Sequence, residues 1–293
     1  MPSTQAIRRR IRSARNVAQI TRAVQLVASS RMRRAQERVA QSRPYAEQLQ
    51  KLLSRVATQA DGLDDQPLMQ AREVKRALIV LVTPDRGLAG ALNSNTTKRA
   101  AELAKELTRQ YSGVNLELSF LAIGRKGRDF LARNRQNIIA EFTQLGDQPK
   151  SADVRAIART ITDAYIGEQI DLAMLVYPKF VSMVAQTPTV TQLLPVQPPE
   201  ASAERGATPE YIFEPDIASI FNELLPRYVE TLIYQPLLET VASFYSAQMI
   251  AMKNATDSAN DLLADLTLTY NKIRQTSITT QILEVVSGAE ALR

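Results

Sequence analysis

Residues 267–292 read TLTYNKIRQTSITTQILEVVSGAEAL and close a run, from Tyr228 to Leu292, that decides the fold. Apolar side chains recur along it at Val241, Phe244, Met252, Ala255, Ala259, Leu262, Leu266, Tyr270, Ile273, Ile282 and Val285. Most steps are three or four residues, the period of a helix that buries one stripe. No glycine stands between Gly206 and Gly288 to interrupt it. Roughly 60 residues at about 1.5 Å each make a helix about 90 Å long, several times the usual globular length. A helix of that length needs a partner along its length, or it must work as a rod.

The opposite end of the chain offers one. Residues 4–60 also read as a long helix, with Ile7, Ile11, Ala14 and Ala18 on one stripe and Val17, Ile20, Val24 and Val27 on an adjacent one. The pattern resumes at Ala28, Met32, Ala35, Val39, Ala46, Leu49, Leu53 and Val56, and its interior proline is Pro44. The alanines let a second helix approach closely. The expected architecture is α/β: a long antiparallel coiled coil of residues 1–60 and 210–293, with an inserted Rossmann-like body over 61–209. Charge agrees. Residues 1–60 hold thirteen basic side chains against two acids, and residues 210–293 hold five against eleven. Exposed pairs add only about 0–1 kcal/mol each, so charge selects the partner more than it stabilises the pair.

A chain of 293 residues that is 45% hydrophobic can bury a real core and is not a disordered tail. It has no cysteine and no histidine. Disulfides, thiolate nucleophiles, Ser-His-Asp triads and ordinary zinc sites are thereby excluded, and neither metal nor cofactor is expected. No apolar run approaches the roughly 20 residues of a membrane span. The N-terminus lacks the apolar core of a signal peptide, so a cytoplasm-facing protein is expected.

Between the helices, Asp61–Gln70 turns polar. Arg76–Thr83 (RALIVLVT) reads as a strand buried on both faces, as in a parallel sheet. TPDRGLAGALN follows, with Asn93 or Ser94 placed to cap a helix to about Tyr111. Asn115–Ile123 reads as a second strand, Gly124 to Asn134 as a short helix, and Ile138–Phe142 as a third strand. Ser151 is placed to cap a helix through Ile166, Asp171–Tyr177 is a buried strand, and Val184–Pro195 alternates like an antiparallel edge strand. This alternation gives a Rossmann-like body. Beyond a linker, Ile217–Leu225 reads as a short separate helix. Pro226 suits the first turn of the next helix, and Pro236 should kink or interrupt it.

Four local features invite functional readings. The TPDRGLAG loop sits between a strand and a helix, where anions bind in doubly wound folds. It lacks the G-x-G-x-x-G and Gly-Lys-Ser/Thr spacings, so a tight turn with Gly87 and Gly90 at unusual backbone angles competes with nucleotide binding. The cluster Arg8-Arg9-Arg10-x-Arg12 would suit nucleic acid, but no aromatic residue precedes Tyr45 and the acidic C-terminal helix offsets its field. Tyr211, Phe213 and Glu214 read equally well as a contact surface or as core. Arg274, Gln275 and Thr279 lie within one and a half turns and, from spacing alone, form an ordinary polar face.

Three stretches carry a resemblance: QAIRRRIRSARNVAQITRAVQLVASSRMRRAQ with SRPYAEQL, the TPDRGLAGALN loop, and AMKNATDSANDLLADLTLTYNKIRQTSITTQILEVVSGAEAL. Together they resemble the gamma subunits of F-type ATP synthases, the central rotor shaft. The resemblance implies a non-catalytic subunit, one copy per complex, that couples proton flow through a ring of c subunits to ATP synthesis or hydrolysis at alpha and beta subunits. It implies alpha, beta, epsilon and c-ring partners, no nucleic acid, and a peripheral place on the cytoplasmic face of a bacterial plasma membrane. By position, Arg274, Gln275 and Thr279 match contacts with a beta-subunit loop. Asp85, Arg86, Gly87 and Leu88 match a segment near the acidic lever of beta, which Arg31, Arg33 and Arg34 would complement. Arg43, Pro44, Tyr45, Tyr211, Phe213 and Glu214 match the foot facing the c ring. Ile278, Ile282, Val285 and Leu292 match a bearing inside the apolar collar of the catalytic ring. Two positions depart from the family pattern: Val24 stands where methionine is common, and Gln248 where arginine is common.

Overall fold

The structure, a computed structural model, describes residues 4–59, 66–197 and 217–290. Helix α1 spans Thr4–Gln59. Strand β1 (Arg76–Val82), helix α2 (Leu92–Gln110), β2 (Glu117–Ile123), α3 (Arg125–Arg133), β3 (Ile138–Phe142), α4 (Ser151–Ile166), β4 (Leu172–Phe180) and β5 (Gln186–Leu194) follow. The last helix, α5, spans Ile217–Glu290. The expected alternation is therefore present. The sheet order is β3-β2-β1-β4-β5, with β1 to β4 parallel and β5 antiparallel to β4 at the edge. The central strand β1 is apolar because both of its faces are covered, and Ala77 to Val82 are fully buried.

The chain divides into two compact units. The larger, Ser30–Ala247, holds the sheet. On one face, Leu78, Val80 and Val82 pack with Ile157 and Ile161 of α4, Leu49 and Leu53 of α1, and Phe221, Val229 and Ile233 of α5. On the other face, Ile79 and Leu81 pack with Ala100, Leu103 and Leu107 of α2 and Leu131 of α3. A third cluster joins Ala35 and Val39 of α1 to Leu238 and Ala242 of α5. The stretches of α1 and α5 in this unit thus pack on each other as well as on the sheet.

The smaller unit contains Met1–Ser29 and Gln248–Arg293. Thr21 Oγ1 meets Thr256 Oγ1 at 2.7 Å. Arg8 Nε and Nη2 donate to the Tyr270 hydroxyl at 2.9 and 2.6 Å, with the guanidinium 5.3 Å from the ring centre. Stepping back 13 residues on one helix matches stepping forward 14 on the other, so the strands of the pair run antiparallel. Only one of the two expected α1 stripes is covered: Ile7, Ala14 and Ala18 are buried, whereas Val17, Ile20 and Val27 are exposed. Helices can approach closely over alanine, and β-branched residues would hold them apart.

Three local expectations are corrected. Ile217–Leu225 is not a separate helix, and Pro236 does not interrupt α5, which runs unbroken through Pro226 and Pro236. An interior proline costs about 3 kcal/mol. Phe221, Leu225, Val229, Ile233 and Leu237 are all buried in the sheet-face core, and each such side chain contributes about 1.5–3 kcal/mol, which outweighs the loss. The expected caps are not used: Ser151 is the first residue of α4, whose cap position is Lys150, and neither Asn93 nor Ser94 caps α2. The cap position is Ala91, and Ser94 Oγ donates back to the Ala91 carbonyl at 2.9 Å.

The sheet is fastened at its amino edge by a buried carboxylate. Asp171, 3% exposed, accepts from the backbone N–H of Lys75 and Arg76 at 3.1 and 2.9 Å and from the Arg76 guanidinium at 3.0 Å. Burial alone would raise its pKa, but these donors reverse the effect and hold it below the usual carboxylate range. A depressed pKa contributes stability above the unfolded value that is lost as pH falls through the folded one. Asp171→Asn is expected to cost about 2–3 kcal/mol at pH 7, with the difference shrinking toward pH 3. Chemical denaturation of both proteins across that range checks it.

Candidate partner-binding surface

The loop after β1 lies against the start of α3. Thr83 Oγ1 accepts the Gly127 N–H at 2.7 Å, the Pro84 carbonyl accepts the Lys126 N–H at 3.4 Å, and Asp85 accepts the Arg125 N–H at 2.9 Å. The second Asp85 oxygen accepts the Gln144 N–H at 3.0 Å. A helix N-terminus attracts anions because its first N–H groups lack partners. Here a carboxylate of the chain itself fills that place. Gly124 and Gly127 make this contact possible. A Cβ on Gly124, whose φ is +91°, would lie 1.8 Å from the Thr83 carbonyl oxygen, and one on Gly127 would lie 2.9 Å from Thr83 Oγ1. Gly90 has the expected positive φ of 56°, but Gly87 does not. Leu88 takes the other left-handed position at 63° and is 69% exposed. The loop is thus a rigid turn with Arg86 and Leu88 outward, and it is poorly suited to cradle a phosphate.

A cavity of about 420 Å³ opens beside this loop, lined by Thr83, Asp85, Gly124, Gln144, Asp147 and Phe244 among others. Of its lining residues, Asp147 is tied to side chains of the long helices outside the cavity. Arg31 Nη1 donates to Asp147 Oδ2 at 2.8 Å and to the Tyr245 hydroxyl at 3.0 Å. Arg38 Nη1 donates to the Asp147 carbonyl at 3.1 Å. The Tyr245 hydrogen bond, with the Asp147 charge, raises the Arg31 pKa. Burial is the main cause of the raised Tyr245 pKa. The loop between β3 and α4 is thereby clamped to both long helices. Spacing alone does not reveal this, because Asp147 and Tyr245 stand 116 and 214 residues from Arg31.

The residues singled out from sequence fall into distinct places. Arg31 turns inward to Asp147, while neighbouring Arg33 and Arg34 face solvent. Arg43, Pro44 and Tyr45 are exposed on α1. In the smaller unit, Arg274, Gln275 and Thr279 are exposed on α5, and the Thr279 hydroxyl donates to the Gln275 carbonyl at 3.0 Å. Ile278, Ile282 and Val285 are 44%, 58% and 73% exposed, an apolar surface uncovered within the chain. Val24 and Gln248 are half-buried. Tyr211, Phe213, Glu214 and Leu292 lie outside the described residues. Among the described residues no cluster of acids could hold a metal, and no helix is long and apolar enough to cross a membrane.

Sequence reasoning did not single out Glu239. It is 8% exposed on α5, and its Oε2 has no hydrogen-bond partner. Burial raises its pKa, opposed by Lys179, the Phe180 N–H and Arg43.

In the larger unit, a mostly parallel α/β sheet packs against stretches of α1 and α5, and the helix N-terminus beside its first loop is filled by the chain's own Asp85. Comparison with known proteins gives the family. The ATP synthase family profile matches residues 3–292. The chain is 45% identical to the ATP synthase gamma chain of Roseiflexus sp. (strain RS-1) over 293 residues, covering 100% of this chain and 99% of that one. It is 43% identical to the ATP synthase gamma chain of Dehalococcoides mccartyi (strain CBDB1), covering 100% of both. A chain in the cryo-EM structure of the Euglena gracilis mitochondrial ATP synthase, in its OSCP/F1/c-ring assembly, has the same fold. Its TM-score is 0.68 at 16% identity, over 99% of this chain and 94% of that one. The chain belongs to the ATP synthase gamma-chain family.

A carboxyl with a raised pKa leaves stability complete below the ordinary glutamate range and loses it as pH rises through the folded value. Glu239→Gln is therefore expected to raise the melting temperature at pH 8 and to leave it nearly unchanged at pH 4. Thermal unfolding at the two pH values measures the difference.

Proposed function

We propose that this chain is the central rotor shaft of an F-type ATP synthase. Proton flow through a c ring turns it, and its asymmetric surface drives the alpha and beta subunits through successive states of ATP synthesis, or hydrolysis in reverse. Full-length membership in the gamma-chain family carries this reading. The chain acts without catalysing. At each angle it makes different contacts with three chemically identical sites, and differential contact shifts their conformational populations unequally.

The roles divide along the chain. Residues 1–60 and 210–293 supply the shaft, and residues 61–209 the body. Arg274, Gln275 and Thr279 meet a beta-subunit loop on the exposed polar face of α5. Asp85, Arg86, Gly87 and Leu88, with Arg31, Arg33 and Arg34, meet the acidic lever of beta. The outward Arg86, Leu88, Arg33 and Arg34 favour direct contact, and the internal bonds of Asp85 and Arg31 favour holding the surface in place. Ile278, Ile282, Val285 and Leu292 turn in the apolar collar, which gives the exposed apolar end of α5 its cover. Arg43, Pro44, Tyr45, Tyr211, Phe213 and Glu214 face the c ring. Epsilon is a further rotor partner. The chain is peripheral, on the cytoplasmic face of a bacterial plasma membrane, and holds no cofactor, metal or nucleic acid.

Co-expression with alpha, beta and epsilon subunits tests this. A stable complex is expected whose ATP turnover depends on this chain. Gln275→Ala with Thr279→Ala should lower turnover about tenfold without dissociating the complex, the loss equivalent to about 1.4 kcal/mol. Absence of a complex would contradict the rotor reading.

A further inference from the structure

The loop between β3 and α4 is held at both ends, and Asp147 is the residue where the long helices take hold of it. Arg31 Nη1 of α1 is shared between Asp147 Oδ2 at 2.8 Å and the Tyr245 hydroxyl of α5 at 3.0 Å. The same guanidinium lies 5.7 Å from the centre of the Tyr245 ring. Arg38, about two turns further along α1, donates to the Asp147 carbonyl at 3.1 Å. At the start of the loop, the Gln144 N–H is taken by Asp85 at 3.0 Å. Asp85 directly precedes the turn from which Arg86 and Leu88 project into solvent.

Close packing does not fix Asp147, because cavities of about 420 and 190 Å³ both border it. The loop backbone is also held in an uncommon shape, with Gln144 and Gly146 at φ of 64° and 70°. A non-glycine residue at positive φ persists where its surroundings over-determine it, and such residues gather at clamps and switch regions. The clamp is poorly placed to serve stability. The Arg31 and Asp147 side chains are 41% and 36% exposed, and exposed ion pairs add little to folding. The Arg76–Asp171 pair differs, because the Asp171 side chain is 4% exposed. A hydrogen bond's net free energy is small because water can replace it, yet its distance and angle are restrictive while it is formed. Through Asp147 such bonds join the loop after β3 to α1 and, by way of Arg31, to α5, while Asp85 joins that loop to the loop after β1.

We infer that Asp147 is a positioning residue for torque transfer. Load on the turn after β1 passes through Asp85, the segment from Gln144 to Asp147, and Arg31 into α1 and α5. The inference rests on the rotor reading. Asp147 acts through Arg31 and Tyr245, so its loss softens the joint between body and shaft without unfolding either.

The test uses membrane vesicles carrying the complete synthase with this chain, in which ATP-driven proton pumping and ATP hydrolysis are read together. The melting temperature of each purified chain is measured alongside. Asp147→Ala is expected to lower the protons pumped per ATP at least twofold, with hydrolysis retained and the melting temperature nearly unchanged. Asp147→Glu, which keeps the carboxylate, should recover most of that loss. Adding Tyr245→Phe to Asp147→Ala should lower the ratio no further, because both residues act through Arg31. Asp171→Asn, which weakens the fold elsewhere, should leave the ratio unchanged. An unchanged ratio in Asp147→Ala, or an equal fall in Asp171→Asn, would overturn the inference. Absence of coupled pumping with the unaltered chain would instead overturn the rotor reading.

Discussion

Each long helix depends on another helix to cover its apolar stripe. Isolated helices are marginal in water, and most helical stability comes from tertiary packing of one face. In the smaller unit, the alanines of α1 allow the close approach that brings Thr21 against Thr256, and Arg8 closes over Tyr270 near the start of α1. In the larger unit, Ala35 and Val39 repeat the contact with Leu238 and Ala242. Beyond the residues that α1 can cover, Ile278, Ile282 and Val285 are left to solvent. That surface is a liability in an isolated chain and becomes useful when a surrounding assembly provides the missing cover.

The α/β body shows how a fold associated with nucleotides can serve another purpose. A doubly wound sheet leaves helix N-termini at its carboxyl edge. In this chain Thr83, Pro84 and Asp85 take the first three N–H groups of α3. The loop between β3 and α4, which Asp85 holds at the Gln144 N–H, is tied through Asp147 to Arg31 and Arg38 of α1, and Arg31 in turn reaches Tyr245 of α5. Donors that could have bound a ligand instead hold loops to helices. A body meant to turn with a shaft needs such ties, because local give would dissipate torque.

Much of this was legible in the sequence because it rests on short periods. After Arg76, the run Ala77–Val82 (ALIVLV) is apolar at every position, which only a strand covered on both faces requires, and the alternation of strands and helices set the parallel topology. The helical period located both terminal helices. It did not show which of two adjacent stripes on α1 is buried, since Val17 and Ala18 differ by one position and the choice depends on how closely the partner approaches. The prolines misled for a related reason: local cost argues for a break, while burial of Phe221, Val229 and Ile233 is a tertiary gain that no local rule contains. Arg31, Arg33 and Arg34 look alike in sequence, yet Arg31 alone of the three is bonded to Asp147, because the loop that carries Asp147 arrives from far along the chain. Glu239 was invisible for the same reason.

The pairing of the chain's two ends is the claim on which the rest stands, and the sequence provides a clean test because it contains no cysteine. Thr21→Cys with Thr256→Cys places two thiols where the hydroxyl oxygens are 2.7 Å apart. Mild oxidation should give an intramolecular disulfide in nearly all molecules, with a higher melting temperature and no loss of assembly with alpha and beta subunits. Thiols that remain reduced, or that link one chain to another instead, would contradict the antiparallel pairing.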